Sequence, residues 1–545
     1  MKTISKTFLI ILASMVFSFA PISANEADIA WTTTWSESLF DQAKKENKFI
    51  ILDLEAIWCH WCHVMHKETY SNPDVVSLLK EYYLPVRVDQ DSRPDLSNRY
   101  RDYGWPATIV FNSKGEEIVK RSGYIQPEEM KQLLQKIVND PTPEEKYPDD
   151  AGIQFSSAQT LSDELKKELQ QNNKSSYDPV LGGLKLGQKF LDGDSLEYSL
   201  ILAKGGDKEQ EKMARKTLDS AVKLIDPVWG GAYQYSTMGG WDYPHFEKLT
   251  TIQARFLHIY SNAYSQFKDI KYLKAAENIY KYLKEFLSGE EGTFYVSQDA
   301  DLIQGEHGFE YFKKDDSERR KLGIPRVDKH IYSSQNGLII NALVDFYRAS
   351  GNNQKYLDDA INATNWILKN RSLSFNLNDN SKWIFSDWTS PESILKSLKW
   401  IISNQALPIR GFRHDEKDSA GPFLSDTLNM GRAFLSLYNA THDKKWLVRA
   451  EQALNFIDLH FTSPIVGFAT SEASCKVCAV RAPSRLIDEN IEVARFANSL
   501  FEITKAEIYK QISAHAMKYL ATPEIATSTL TEPGILIADL EINKN

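Results

Sequence analysis

The chain of 545 residues is 42% hydrophobic and 25% charged, an ordinary globular composition on a length too great for one small core. A formal net charge of −9 argues against nucleic-acid binding, which needs clustered Lys and Arg. The four cysteines form two C-x-x-C pairs, Cys59/Cys62 and Cys475/Cys478, too few for a disulfide-stapled scaffold and suited to redox chemistry or metal.

Residues 1–24 read as a signal peptide: Lys2 and Lys6 precede an apolar run at 8–20, and Ile22-Ser23-Ala24 offers a small-residue cleavage site. The run is short for a membrane span, and no other stretch approaches about 18 uninterrupted apolar residues. The expectation is an exported protein, periplasmic or secreted, without a stable membrane span once the signal is cleaved. An uncleaved anchor is the alternative.

Residues 25–140 alternate strands and helices and predict an α/β sandwich. Helices are expected at 36–46, 74–83, 94–103 and 127–138, with one more opening near Cys59; strands are expected at 49–54, 84–88, 107–111 and 116–120. The Pro- and charge-rich stretch 141–150 reads as a linker. Residues 151–545 switch to helical periodicity, clearest at 207–225, 246–267, 269–287, 335–350, 355–370, 424–440, 443–461 and 484–504. The turn Asp178-Pro179-Val180-Leu181-Gly182-Gly183 returns as Asp226-Pro227-Val228-Trp229-Gly230-Gly231, with a looser echo at 464–468. Such recurrence suggests stacked αα-hairpins, closed into a toroid or left as a solenoid.

Trp58-Cys59-His60-Trp61-Cys62-His63 follows a buried strand and opens a helix. Unpaired backbone N–H groups and the positive end of the helix dipole favour a thiolate there, the species that attacks disulfides. Cys59 is expected to be the exposed nucleophile and Cys62 the resolving thiol, with His60 adding positive charge. Asp53, on the preceding strand, either lies beneath the sulfurs as a proton acceptor or is hydrogen-bonded locally. Pro106, in Gly104-Trp105-Pro106-Ala107-Thr108, is a candidate cis-proline. Trp58, Trp61, Trp105 and Pro106 are the expected substrate groove.

Other readings of these residues stay open. Cys59 to His63 also matches the C-x-x-C-H haem-attachment pattern. Cys59, Cys62, His63 and His66 have spacings that suit zinc. Cys475 and Cys478 form either a second redox pair or a local stabilising disulfide. His245 with Glu247, and Asp299 with Asp301, form either a carboxylate pocket of the kind used on glycosides or ordinary helix caps.

Three ordered motifs carry a resemblance: WCHWCHVM at 58–65; Val88, Asp89, Arg93, Pro94 and Asp95 in the pattern VDxxxRPD; and Gly-Trp-Pro at 104–106. The region resembles a thioredoxin fold, and specifically the thioredoxin-like domain of the spermatogenesis-associated protein 20 family. Pro244-His245-Phe246-Glu247-Lys248, Gln298-Asp299-Ala300-Asp301 and Gln335-Asn336-Gly337-Leu338 are similar to further signatures of that family. The resemblance implies an (α/α)6 toroid similar to six-hairpin glycosidases after the thioredoxin-like domain, and implies no reaction for it. The expected function is thiol-disulfide exchange without a cofactor. It needs a protein thiol or disulfide client, which the helical domain holds, and a redox recycling partner. The alternatives are a carbohydrate-active or carbohydrate-binding toroid with a redox-sensing appendage, and a zinc-binding non-catalytic scaffold.

Overall fold

Five consecutive buried residues in Phe49–Glu55 (β1) mark a strand covered on both faces. The computed structural model describes residues 29–144, 152–374, 410–417, 420–472 and 483–544. The signal segment, most of the expected linker and the Cys475/Cys478 pair lie outside the described residues. β1 pairs in parallel with Tyr83–Asp89 (β2) and antiparallel with Ala107–Phe111 (β3), and Glu117–Ser122 (β4) completes the order β2-β1-β3-β4.

Alternation along β1 sends its side chains into two cores. Ile51 joins Met65, Val75, Leu79 and Leu134 on one face, beneath His60–Glu68 (α2), Pro73–Tyr82 (α3) and Pro127–Asn139 (α5). Ile50, Leu52 and Leu54 join Leu39, Phe40 and Leu96 on the other, beneath Glu37–Glu46 (α1) and Pro94–Tyr100 (α4). This is the thioredoxin-like arrangement. The helix expected through residue 103 ends at Tyr100, and Arg101–Tyr103 tighten into a 3-10 turn before Gly104 at φ +60°. Glu144 packs back on the sheet: its backbone N–H donates to the Ile118 carbonyl, and its carboxylate takes Arg121 and Lys136. The first domain therefore runs past residue 140.

The remaining long helices alternate between two layers. The inner layer holds Gly193–Lys204 (α7), Thr250–Phe267 (α9), Ser333–Ala349 (α11), Leu424–Thr441 (α13), Ile487–Thr504 (α15) and Pro533–Ile542 (α17). The outer layer holds Asp163–Ser176 (α6), Lys208–Ala221 (α8), Ile270–Phe286 (α10), Gln354–Asn370 (α12), Lys444–Phe461 (α14) and Glu507–Leu520 (α16). Each inner helix packs on the next, and α17 packs on both α15 and α7, so the ring closes. The toroid holds, and the open solenoid does not. Among the described residues no helix is long and apolar enough to cross a membrane.

The repeated turns are alike in their chemistry. In both, the paired glycines sit at φ of +72° or +73°, a region that favours glycine. Gly182 N–H donates to the Asp178 carbonyl and Gly230 N–H to that of Asp226, each at 2.9 Å. The Asp178 carboxylate takes the buried ammonium of Lys189 at 2.7 Å, and Asp226 takes that of Lys248 at 2.8 Å. Strands Lys248–Leu249, Ser297–Gln298 and Val327–Asp328 then build a small antiparallel sheet at the N-terminal ends of α9 and α11. From it the 299–308 loop reaches the thioredoxin-like domain.

Candidate functional site

Cys59 is the N-cap of α2 and is disulfide-bonded to Cys62. Its Sγ accepts the backbone N–H of Cys62 at 3.2 Å, an amide of the first turn that is shared with the Cys59 carbonyl at 3.1 Å. The Trp105–Pro106 bond is cis, as anticipated.

The expected open exposure of Cys59 is corrected. Cys59 is only 5% exposed and Cys62 not at all. The reason is apolar cover: Ala56, Trp58, Cys59 and Cys62 cluster with Trp105 and with Leu249, which the helical domain contributes. Trp58 is a buried brace rather than an open groove wall, its indole N–H donating to Asp91 Oδ2 at 2.6 Å. Trp61 stands out at 43% exposure, beside the Tyr124 ring.

The histidines of the motif turn to the helical domain. His60 Nδ1 lies 2.8 and 2.9 Å from the two oxygens of Asp301, and His63 Nδ1 lies 3.2 Å from Asp301 Oδ2. His63 Nε2 is 3.1 Å from the Ile57 carbonyl and 3.7 Å from Asp299 Oδ2. Asp301 also accepts the Gly305 N–H, and its own N–H donates to Asp299 Oδ1, both at 2.9 Å. Asp299 Oδ2 and Glu247 Oε2 are buried with no hydrogen-bond partner. His245 Nδ1 is 3.8 Å from Glu247 Oε2, and the His307 ring lies 5.2 Å from that of His60.

Burial opposes ionisation of Asp301, yet its bonds to His60 and His63 hold the carboxyl below the usual range. Burial pushes Asp299 up to about 7, and the charges of Asp301 and Glu247 add to that. His63 is raised despite burial, by Asp301 and Asp299. The expected helical-domain acids are thus gathered at one place, where Asp299 and Asp301 face imidazoles of α2 rather than an open groove.

Asp53 is fully buried, and Arg87 Nε and His66 Nε2 lie 3.1 and 3.6 Å from its Oδ2. Burial opposes its charge, but His66 and Arg87 outweigh that and hold the carboxyl low. The structure thus ties Asp53 into an ion cluster. Burial likewise opposes charge on His66, while Asp53 and Glu55 push it up to about 9. The expected zinc set of Cys59, Cys62, His63 and His66 is not assembled. His63 faces the helical domain, His66 faces the sheet, and the disulfide leaves neither sulfur to zinc or to a haem vinyl group.

Sequence reasoning missed a second contact. His414 Nε2 lies 2.7 Å from the Asp91 carbonyl oxygen, and its Nδ1 lies 2.9 Å from Asp426. Burial pushes Asp91 up to about 6, with Asp328 adding to it and Trp58 opposing. Arg101 reaches Asp488 at 3.2 Å. The only sequence signal was the position of Asp91 inside the VDxxxRPD motif.

Residues 21–156 match the family model Thioredox_DsbH, described as a protein of unknown function, DUF255. The chain is 26% identical over 481 residues to an uncharacterized protein of Caenorhabditis elegans, covering 78% of this chain and 62% of that protein. It is 30% identical to spermatogenesis-associated protein 20 of Mus musculus, over 49% of this chain and 38% of the relative. The chain thus spans less than two thirds of the length of these relatives. Over 78 residues it is 35% identical to thiol:disulfide interchange protein DsbD 2 of Pseudomonas aeruginosa, 14% of this chain and 13% of that one. Among solved structures, cellobiose 2-epimerase of Bacillus thermoamylovorans covers 66% of this chain, with 86% of its own length matched, 12% identity and a TM-score of 0.48.

Proposed function

We propose that the chain is an exported thiol-disulfide oxidoreductase whose Cys59–Cys62 pair is covered by its own helical domain between turnovers. The observation that carries this is the Cys62 N–H directed at Cys59 Sγ in the first turn of α2. After reduction the same amide and helix dipole favour a thiolate at Cys59. Asp301 of the helical domain takes both imidazoles of the motif, those of His60 and His63.

In the reducing direction the Cys59 thiolate attacks one sulfur of a client disulfide, forming a mixed disulfide and releasing the other client sulfur as a thiolate. Cys62, losing its proton, then attacks Cys59 Sγ and frees the second client thiolate. The client gains two electrons and Cys59–Cys62 becomes the disulfide. A recycling dithiol partner must return those electrons. A protein client reaches Cys59 once Leu249 moves off it and the 299–308 loop releases His60 and His63, which gives the helical domain its role in admitting and holding the client. The leader-like N-terminus supports an exported setting.

The test is reduction of a disulfide-bonded model protein by dithiothreitol with catalytic amounts of the chain. Wild type and Cys475→Ser/Cys478→Ser accelerate it, and Cys59→Ser does not. Equal rates for wild type and Cys59→Ser remove the reading.

A further inference from the structure

Two side-chain groups among the described residues gather potential metal donors: Asp53, Glu55 and His66; and His63, Asp299 and Asp301. In the first, Arg87 already supplies the cation, its Nε lying 3.1 Å from Asp53 and 3.5 Å from Glu55. The second has no Lys or Arg among the partners just described. It holds two carboxylates against His63, with Glu247 nearby.

Its geometry has three marks of a ligand set. His63 Nε2 is 3.1 Å from the Ile57 carbonyl, the outer-shell hydrogen bond that fixes the tautomer of metal-binding histidines and leaves Nδ1 as the donor. That Nδ1 faces Asp301 Oδ2 at 3.2 Å. Asp299 is 1% exposed, and its Oδ2 lies in the group with no hydrogen-bond partner. Glu247 Oε2 is a second buried oxygen without a partner.

We propose that His63, Asp299 and Asp301 bind a divalent metal ion of the zinc or manganese class at the junction of the two domains. Mixed imidazole and carboxylate donors suit such ions and not the softer copper(I) or iron–sulfur groups. Glu247 offers a further buried oxygen without a partner, and His60, whose Nδ1 lies within 2.9 Å of both Asp301 oxygens, is an outer-shell partner. The ion would bridge α2 to the 299–308 loop and so pin the cover over the disulfide. This site shares no ligand with Cys59 or Cys62, and it stands whether or not the pair is catalytic.

The experiment uses the full chain with Cys475→Ser/Cys478→Ser and the Cys59–Cys62 disulfide intact, which removes thiolates from competition. Chelator-treated protein is titrated with zinc chloride and with manganese chloride alone. One equivalent is expected to bind, about tenfold or more weaker in Asp299→Asn and unchanged in His66→Ala. Cobalt(II) on the unsubstituted ligands gives a second readout that needs no variant: ligand-field bands of nitrogen and oxygen coordination. No saturable binding, loss in His66→Ala with retention in Asp299→Asn, or cobalt spectra without histidine coordination overturns the proposal. If Asp299→Asn fails to fold, the cobalt spectrum of the parent and the His66→Ala titration decide.

Discussion

His60 Nδ1 lies 2.8 Å from Asp301 Oδ1, although the two residues stand 241 positions apart and in different domains. One of the two residues between the cysteines is therefore oriented by the toroid, through a segment that has no cysteine.

That contact predicts an opening variant. Asp301→Asn leaves His60 and His63 without their shared carboxylate, and losing one partner of a buried ion pair costs about 3–5 kcal/mol. After reduction, alkylation of Cys59 by iodoacetamide is expected to run at least about tenfold faster than in wild type, because a tenfold change needs only ~1.4 kcal/mol. Equal alkylation rates would show that apolar contacts alone hold the cover.

The His66 cluster predicts a pH dependence. An unfolded histidine titrates near about 6.5, whereas in the fold burial is outweighed by Asp53 and Glu55 and His66 titrates at about 9. The folded state holds the proton more tightly, so this contribution is complete below the unfolded value. It drains away as pH rises and is gone above the folded value. Urea unfolding of wild type should lose about 1–3 kcal/mol more between those limits than His66→Asn. Parallel losses in the two proteins would contradict the pairing.

Asp226 predicts a stability difference within the repeat. It pairs with both Lys248 and Arg319, all three fully buried, with Arg319 Nη1 at 2.7 Å. Burial draws the Lys248 ammonium down to about 8 even with Asp226 beside it. Asp226→Asn should cost about 3–5 kcal/mol by denaturant titration. Asp178→Asn should cost less, because Asp178 is partly exposed and faces one buried cation where Asp226 faces two. The reverse order would refute the account.

Gly231 and Gly239 separate backbone from packing. Both sit at φ +73°, so alanine costs about 1 kcal/mol at either from the left-handed backbone alone. A Cβ at Gly239 meets nothing within 4 Å, whereas one at Gly231 runs into the Tyr282 ring. Gly231→Ala should therefore lose about 1–3 kcal/mol more, read from the shift in thermal midpoint.

Much of this was legible in the residues. Apolar runs gave β1 and its neighbours, and the 3.6-residue period gave α9 to α15 to within a few positions. α6, α7, α16 and α17 were not singled out. Pro533–Ile542 shows why, because its first six residues are apolar and buried all round and leave no polar face to create a period. The site was half legible. The motif named Cys59, Cys62, His60 and His63, and signatures named Glu247, Asp299 and Asp301, but nothing local joins them. Their meeting depends on how two domains dock, which is also why the low exposure of Cys59 was not foreseen. His414 and Asp91 were missed for the same reason.

The position of α17 between α15 and α7 has a consequence for folding. Five inner helices can fold in order, each leaning on the one before, yet the first and fifth have no bridge until residues 533–542 dock. Until then the apolar flanks of α7 and α15 face outward as sticky edges. A chain cut before that point leaves those flanks uncovered and open to aggregation.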